Sequence, residues 1–193
     1  MTNLAKIDSG ISRRLGLAFS DFRKFAALWN HTNLPVIRKF MIYRACICST
    51  LLYGLESAWL NKRLRNRIDG FHARCLRKML RILPSYWSRI ANVDVLKKLD
   101  AIPLSSMLLE KQLLYFGKLF RLPDDDCRRK LLFKDGASEI QIPNDRRRGR
   151  PRAIWGIEVG MHASIIGGPK LTLEQTLHDE QLWKQYVRSY IRN

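Results

Sequence analysis

Three sets of residues in this 193-residue chain carry side chains that could do chemistry. Asp124, Asp125 and Asp126 form its only dense acidic run. Adjacent carboxylates can hold magnesium for phosphoryl transfer. These three follow Pro123 and precede "CRRK", an arrangement that suits a helix N-terminus, where acids favour the dipole; the metal reading is the weaker one. Cys46, Cys48, Cys75 and Cys127 form no C-x-x-C pair. On a helix Cys46 and Cys48 point about 200° apart, and His72 with Cys75 is half of the convergent set that zinc needs. Free thiols in a reducing compartment are the expectation. The third set is cationic: Arg63, Arg67, Arg74, Arg77, Lys78 and Arg81 in one segment, and Arg146, Arg147, Arg148, Arg150 and Arg152 in another. Such side chains hold phosphates. The chain shows no glycine-rich phosphate loop, nucleophile elbow or His pair at metal spacing. The expectation is a binding protein with no cofactor and no catalytic residue of its own.

The charge balance agrees. Thirty-five Lys and Arg against 17 Asp and Glu give +18. So much like charge costs stability unless a polyanion neutralises it, and nucleic acid leads an anionic membrane surface as that partner. Residues 1–100 hold 19 of the cations and 6 of the acids, so most of the excess lies there. The longest charge-free apolar run, Ala45 to Leu55, falls short of the roughly 20 residues a bilayer span needs. No secretory signal is visible. A soluble protein inside the cell, in the nucleus, is expected, with no membrane partner.

The elements that must present these cations read as helices, so an all-α fold is expected: an irregular helical bundle with a basic loop or arm near residues 135–153. Ile11, Leu15, Ala18, Phe22, Phe25 and Trp29 recur at steps of three and four, one face of an amphipathic helix, with Ser9 as its cap. From Pro35, "VIRKFMIYRACICSTLLYGL" is apolar nearly all round, which predicts a buried helix ended or bent at Gly54. In the segment Asn61 to Leu83, Leu64, Ile68, Phe71, Cys75, Met79 and Ile82 project onto one arc at about 100° per residue. The six cations of the first basic set project onto another arc, within about 100°, and Asp69 points away. Solvated faces usually alternate sign; this one does not, which favours an anion lying across it. Pro84 stops the helix. A short helix capped at Asn92, an apolar helix from "PLSSMLLEKQLLYFGKLFRL", a short helix after Arg152 and one or two C-terminal helices complete the chain.

"RRRGRPR", the densest local charge, admits three readings. Arg-Gly-Arg-Pro is similar to the AT-hook, whose extended arginines lie in the narrow minor groove of A·T-rich DNA. It equally fits a nuclear import signal or a basic hinge. Trp155 belongs to none of them.

Four stretches taken together, "LLYGLESAW", "FHARCLRKMLRI", "RRRGRPRAIW" and "DEQLWKQYV", in this order and spacing, resemble the C-terminal part of LINE-type non-LTR retrotransposon reverse transcriptases. The opening "ISRRLGLAFSDFRKFAALWNHTNL" resembles the segment after the palm. The resemblance spans nearly all of the chain. It implies a thumb-like helical domain over 1–90, a helical connection over 91–134, the basic loop over 135–153 and a C-terminal helical segment over 154–193. It also implies a grip on the backbone of the template–primer, an RNA–DNA hybrid or duplex DNA, and contacts to the absent palm and fingers. Lys118 stands where the family commonly has His, and Glu180 where it has Arg. The aromatic-x-Asp-Asp turn of the family's palm is missing, so a non-catalytic piece of an RNA-directed DNA polymerase is expected. The rivals are an AT-hook chromatin protein and a helical protein-interaction module. Trp155 is expected to pin the basic arm to the helical core.

Overall fold

A computed structural model describes residues 3–134, 139–140, 154–167 and 170–192; the side chains of 3–6 and 170–172 are not described. The described residues are all-α, with one isolated bridge between Phe133 and Ile140 in place of any strand. They form two compact units, 1–53 with 60–105, and 54–59 with 106–193. The first unit extends to residue 105, because the segment after α4 packs back on it.

In the first unit, α1 (Asn3–Asn30) buries Ile11, Ala18, Phe22 and Trp29, the apolar stripe of the sequence. The helix begins well before Ser9, so Ser9 lies within it and is not its N-cap. Phe22 sits edge-on to Trp29 and Tyr43 at 6.0 and 5.9 Å. Next come α2 (Val36–Tyr43), a π-helical turn (Arg44–Cys48) and α3 (Ser49–Leu52). This run buries Phe40, Tyr43, Ile47, Cys48, Leu51 and Leu52. Its other side is open: Ile37 and Met41 are more than half exposed, so the helix is buried on one face only. Gly54, at φ 68°, takes the left-handed turn after it that side-chain-bearing residues avoid.

Helix α4 (Lys62–Met79) starts where Asn61 accepts a hydrogen bond from the Leu64 amide at 2.9 Å. Leu64, Ile68, Phe71, Cys75, Leu76 and Met79 are its buried face. It stops four residues before Leu83 in a Schellman motif. The Ile82 amide returns to the Arg77 carbonyl and the Arg81 amide to that of Lys78, with Arg81 at φ 56°. Two short helices follow, α5 (Ser85–Ser88) and α6 (Asn92–Lys97), whose Val95 is fully buried. Asn92 opens α6 without capping it, because its side chain serves Arg77 instead. Asp69 of α4 accepts bonds from the backbone amide and hydroxyl of Ser105, at 2.8 and 2.6 Å.

The second unit is built on α7 (Leu104–Phe120), α8 (Cys127–Lys130), α9 (Trp155–Gly167), α10 (Lys170–His178) and α11 (Glu180–Arg192). Its core joins Leu113, Phe116, Leu119 and Phe120 of α7 to Phe133, Val159, Ala163, Leu177, Trp183 and Val187. Trp183 is fully buried and donates its indole N–H to the Leu113 carbonyl at 2.9 Å. Asp179 caps α11 through the amides of Gln181 and Leu182. Gly54–Trp59 joins this unit where Gln112 donates to the Ala58 carbonyl at 2.6 Å.

Candidate nucleic-acid interface

The first unit carries 19 Lys and Arg against five acids. Its six sequence-chosen cations on and after α4 divide three ways. Arg63, Arg74, Lys78 and Arg81 are exposed, and none of the four forms an ion pair with an acid among the described residues. Arg74 donates to the Gly70 carbonyl one turn back. Lys78 lies 5.2 Å over the Phe19 ring of α1, and Arg23 lies 5.4 Å over the same ring. The cation–π contact orients both ammonium and guanidinium beside one apolar support. Arg23, overlooked in the sequence because it sits on another helix, extends the basic surface from α4 onto α1.

Arg67 is half-exposed and turned toward α1, where it pairs with Asp8 and donates to the Ser12 hydroxyl at 2.9 Å. An exposed pair of this kind contributes little stability, yet it places a competing carboxylate beside the Arg67 guanidinium. Arg77 departs further from expectation. It is 6% exposed and its guanidinium is spent on the loop that follows. Nη1 donates to the Leu83 carbonyl at 3.0 Å and the Ser88 hydroxyl at 3.2 Å. Nη2 donates to the Ile90 carbonyl at 2.6 Å and to Asn92 Oδ1 at 3.0 Å. Arg77 is therefore a clamp on the 83–92 loop and not a free phosphate ligand. Its place on the helix matches its neighbours', but the chain beyond α4 doubles back over it.

Arg146, Arg147, Arg148, Arg150 and Arg152 lie outside the described residues. Trp155, which opens α9, is half-buried; its ring lies 5.8 Å from that of Tyr115 and 6.5 Å from that of Phe116. The indole thus packs into the core of the second unit, with its N–H buried and without a hydrogen-bond partner among the described residues. A cavity of about 470 Å³ in the same unit is walled mainly by Phe116, Phe120, Phe133, Ile140 and Leu173.

Other candidate chemistry resolves into structure. Asp126 caps α8 through the Arg128 amide at 2.8 Å. The Arg128 guanidinium beside it holds its carboxyl down to about 2. Asp124 pairs with Arg129. Two of the three carboxylates are thus engaged by arginines, and no group of three or more metal-ligating side chains occurs among the described residues. Cys48 and Cys75 are buried, and burial pushes both thiols up to about 12, so neither offers a thiolate near neutrality. Cys46 and Cys127 are exposed. Tyr43 and His72 share a buried hydrogen bond of 2.9 Å to His72 Nδ1. Burial lowers His72 to about 4, and the nearby Ile102 backbone pulls weakly the other way. His72 Nε2 makes no hydrogen bond of ordinary geometry. This is a neutral core imidazole.

No family model matches the chain, and no curated protein or solved structure matches it either. No helix among the described residues is long and apolar enough to cross a membrane.

Proposed function

We propose that the chain is a non-catalytic nucleic-acid-binding module, similar to the thumb and C-terminal connection of LINE-type retrotransposon reverse transcriptases. In it Arg63, Arg74, Lys78 and Arg81 grip the phosphate backbone of a template–primer duplex. The observation that carries the reading is the set of exposed cations on and just after α4 without acidic partners among the described residues, in a unit with 19 Lys and Arg against five acids. Like charges presented on one face repel one another, and a polyanion laid across them relieves that cost. Backbone contacts give affinity and register but little sequence preference. Arg146, Arg147, Arg148, Arg150 and Arg152 supply a second contact, and the module works on nuclear nucleic acid.

The test is retention of three probes by the intact chain: an RNA–DNA hybrid, an A·T-rich duplex and a G·C-rich duplex. The reading expects all three to bind with affinities within about tenfold of one another, since phosphate contacts are blind to sequence. A strong A·T preference that disappears when Arg148 and Arg150 are changed would transfer the function to a minor-groove hook. Absence of retention at physiological salt would leave a protein-interaction module as the better account.

A further inference from the structure

The loop between α4 and α6 holds two large rings in the open. Tyr86 and Trp87 of α5 are 69% and 70% exposed, with ring centroids 5.5 Å apart and planes at 46°. Rings left in water are ordinarily drawn back onto apolar surface. Here the loop is tied down on both sides of them: Arg77 bonds to Leu83 before the pair and to Ser88, Ile90 and Asn92 after it. The backbone that carries the rings is thus fixed from beneath while the rings stay uncovered.

Both ends of the same loop carry an arginine where glycine would be comfortable. Arg81 and Arg89 each have φ 56°, in the left-handed region that disfavours a side chain. Both are exposed. Strain of this kind persists where the surroundings enforce it, and it gathers at binding sites. From Gly70 to Val93 the sequence holds five cations and no acid. An aromatic face with a cation on either side, in an acid-free stretch, is what an unpaired nucleotide needs: a surface for its base and a charge for its phosphate.

We propose that this loop is a stacking platform for unpaired nucleotides, with Tyr86 and Trp87 receiving bases and Arg81 and Arg89 the flanking phosphates. The proposal rests on the nucleic-acid reading and adds to it a site for single strands that shares Arg81 with the duplex-gripping set. Charge decides for nucleic acid over a protein partner, because a protein covering Leu83, Tyr86 and Trp87 would still have to neutralise both arginines.

The experiment compares binding of oligothymidylate and of a blunt duplex by the intact chain and by Tyr86→Ala/Trp87→Ala. Removing both rings should weaken oligothymidylate binding by about tenfold or more and duplex binding by less than about threefold. Trp87→Phe, which keeps a ring and disturbs nothing buried, should retain most of the oligothymidylate affinity. Equal losses on both probes, or none on oligothymidylate, would overturn the platform while the duplex-binding reading survives. A double variant whose nucleic-acid binding is unchanged but whose self-association is lost would show the rings to be a protein contact. If the unaltered chain binds neither probe, the nucleic-acid reading falls first and takes the platform with it.

Discussion

Arg77→Met separates a structural arginine from its phosphate-binding neighbours. Removing the guanidinium deprives the Leu83 and Ile90 carbonyls, the Ser88 hydroxyl and Asn92 Oδ1 of donors at 2.6 to 3.2 Å. At about 1 kcal/mol for each acceptor the loss is roughly 4 kcal/mol, the low end being appropriate because water can reach part of the loop. Methionine fills much of the same space, so no large cavity adds to the figure. Arg74→Met and Arg63→Met, on the exposed face, should each change stability by no more than about 0.5 kcal/mol. Arg77→Lys keeps the charge but loses the planar fork, and should recover only part of the loss. Urea unfolding followed by circular dichroism reads all four variants. If Arg77→Met and Arg74→Met proved equally stable, and equally defective in binding, the clamp would be wrong and Arg77 would rejoin the phosphate ligands.

Other perturbations follow from the same packing. A methyl group on Gly117 would lie 2.5 Å from the indole nitrogen of Trp183, so Gly117→Ala must displace that ring. Overpacking of about 3 kcal/mol less about 1 for better helix propensity leaves a loss of roughly 2 kcal/mol; a stabilised variant would contradict the Gly117–Trp183 contact. Arg81→Gly and Arg89→Gly relieve the left-handed backbone, so each should leave stability unchanged or raise it by up to about 1 kcal/mol. Each should also weaken nucleic-acid binding; destabilisation without loss of affinity would contradict the roles given to both. His72 has its folded value lowered by burial to about 4, so the unfolded chain takes the proton first as pH falls. Its contribution is fully present above about pH 6.5 and is lost toward pH 4, by roughly 2 kcal/mol at pH 5. Urea midpoints for the natural chain and His72→Gln should converge over that range; parallel profiles would refute a neutral buried imidazole.

Much of α4 was legible because it depends on local rules. Its apolar period and the exposure of Arg63, Arg74 and Lys78 all follow from spacing on one helix. Arg77 was not legible, since its burial is decided by a loop that returns over it from 6 to 15 residues away. The end of α4 was set too late for a related reason: Pro84 is an evident stop, but an arginine adopting φ 56° at residue 81 leaves no mark in composition. Ser9 misled because a short polar residue inside a long amphipathic helix is written like a cap. The division after residue 105 depends on α6 packing against α4, and pairings such as Asp69 with Ser105 cross 36 residues. Trp155 was expected to anchor a neighbouring arm, and its ring does pack with Tyr115 and Phe116; the arm itself lies outside the described residues.

The salt dependence of duplex binding tests the central claim most directly. Four cations on and just after α4 and the five arginines of the 146–152 cluster engaging nine phosphates give a slope of about −8 in log affinity against log salt, or nearly 10⁵-fold between about 50 and 200 mM. Replacing Arg63, Arg74, Lys78 and Arg81 with Gln should flatten that slope by about 3.6 while leaving the urea midpoint in place. A slope near zero in the natural chain, or one that the four replacements leave untouched, would contradict the account.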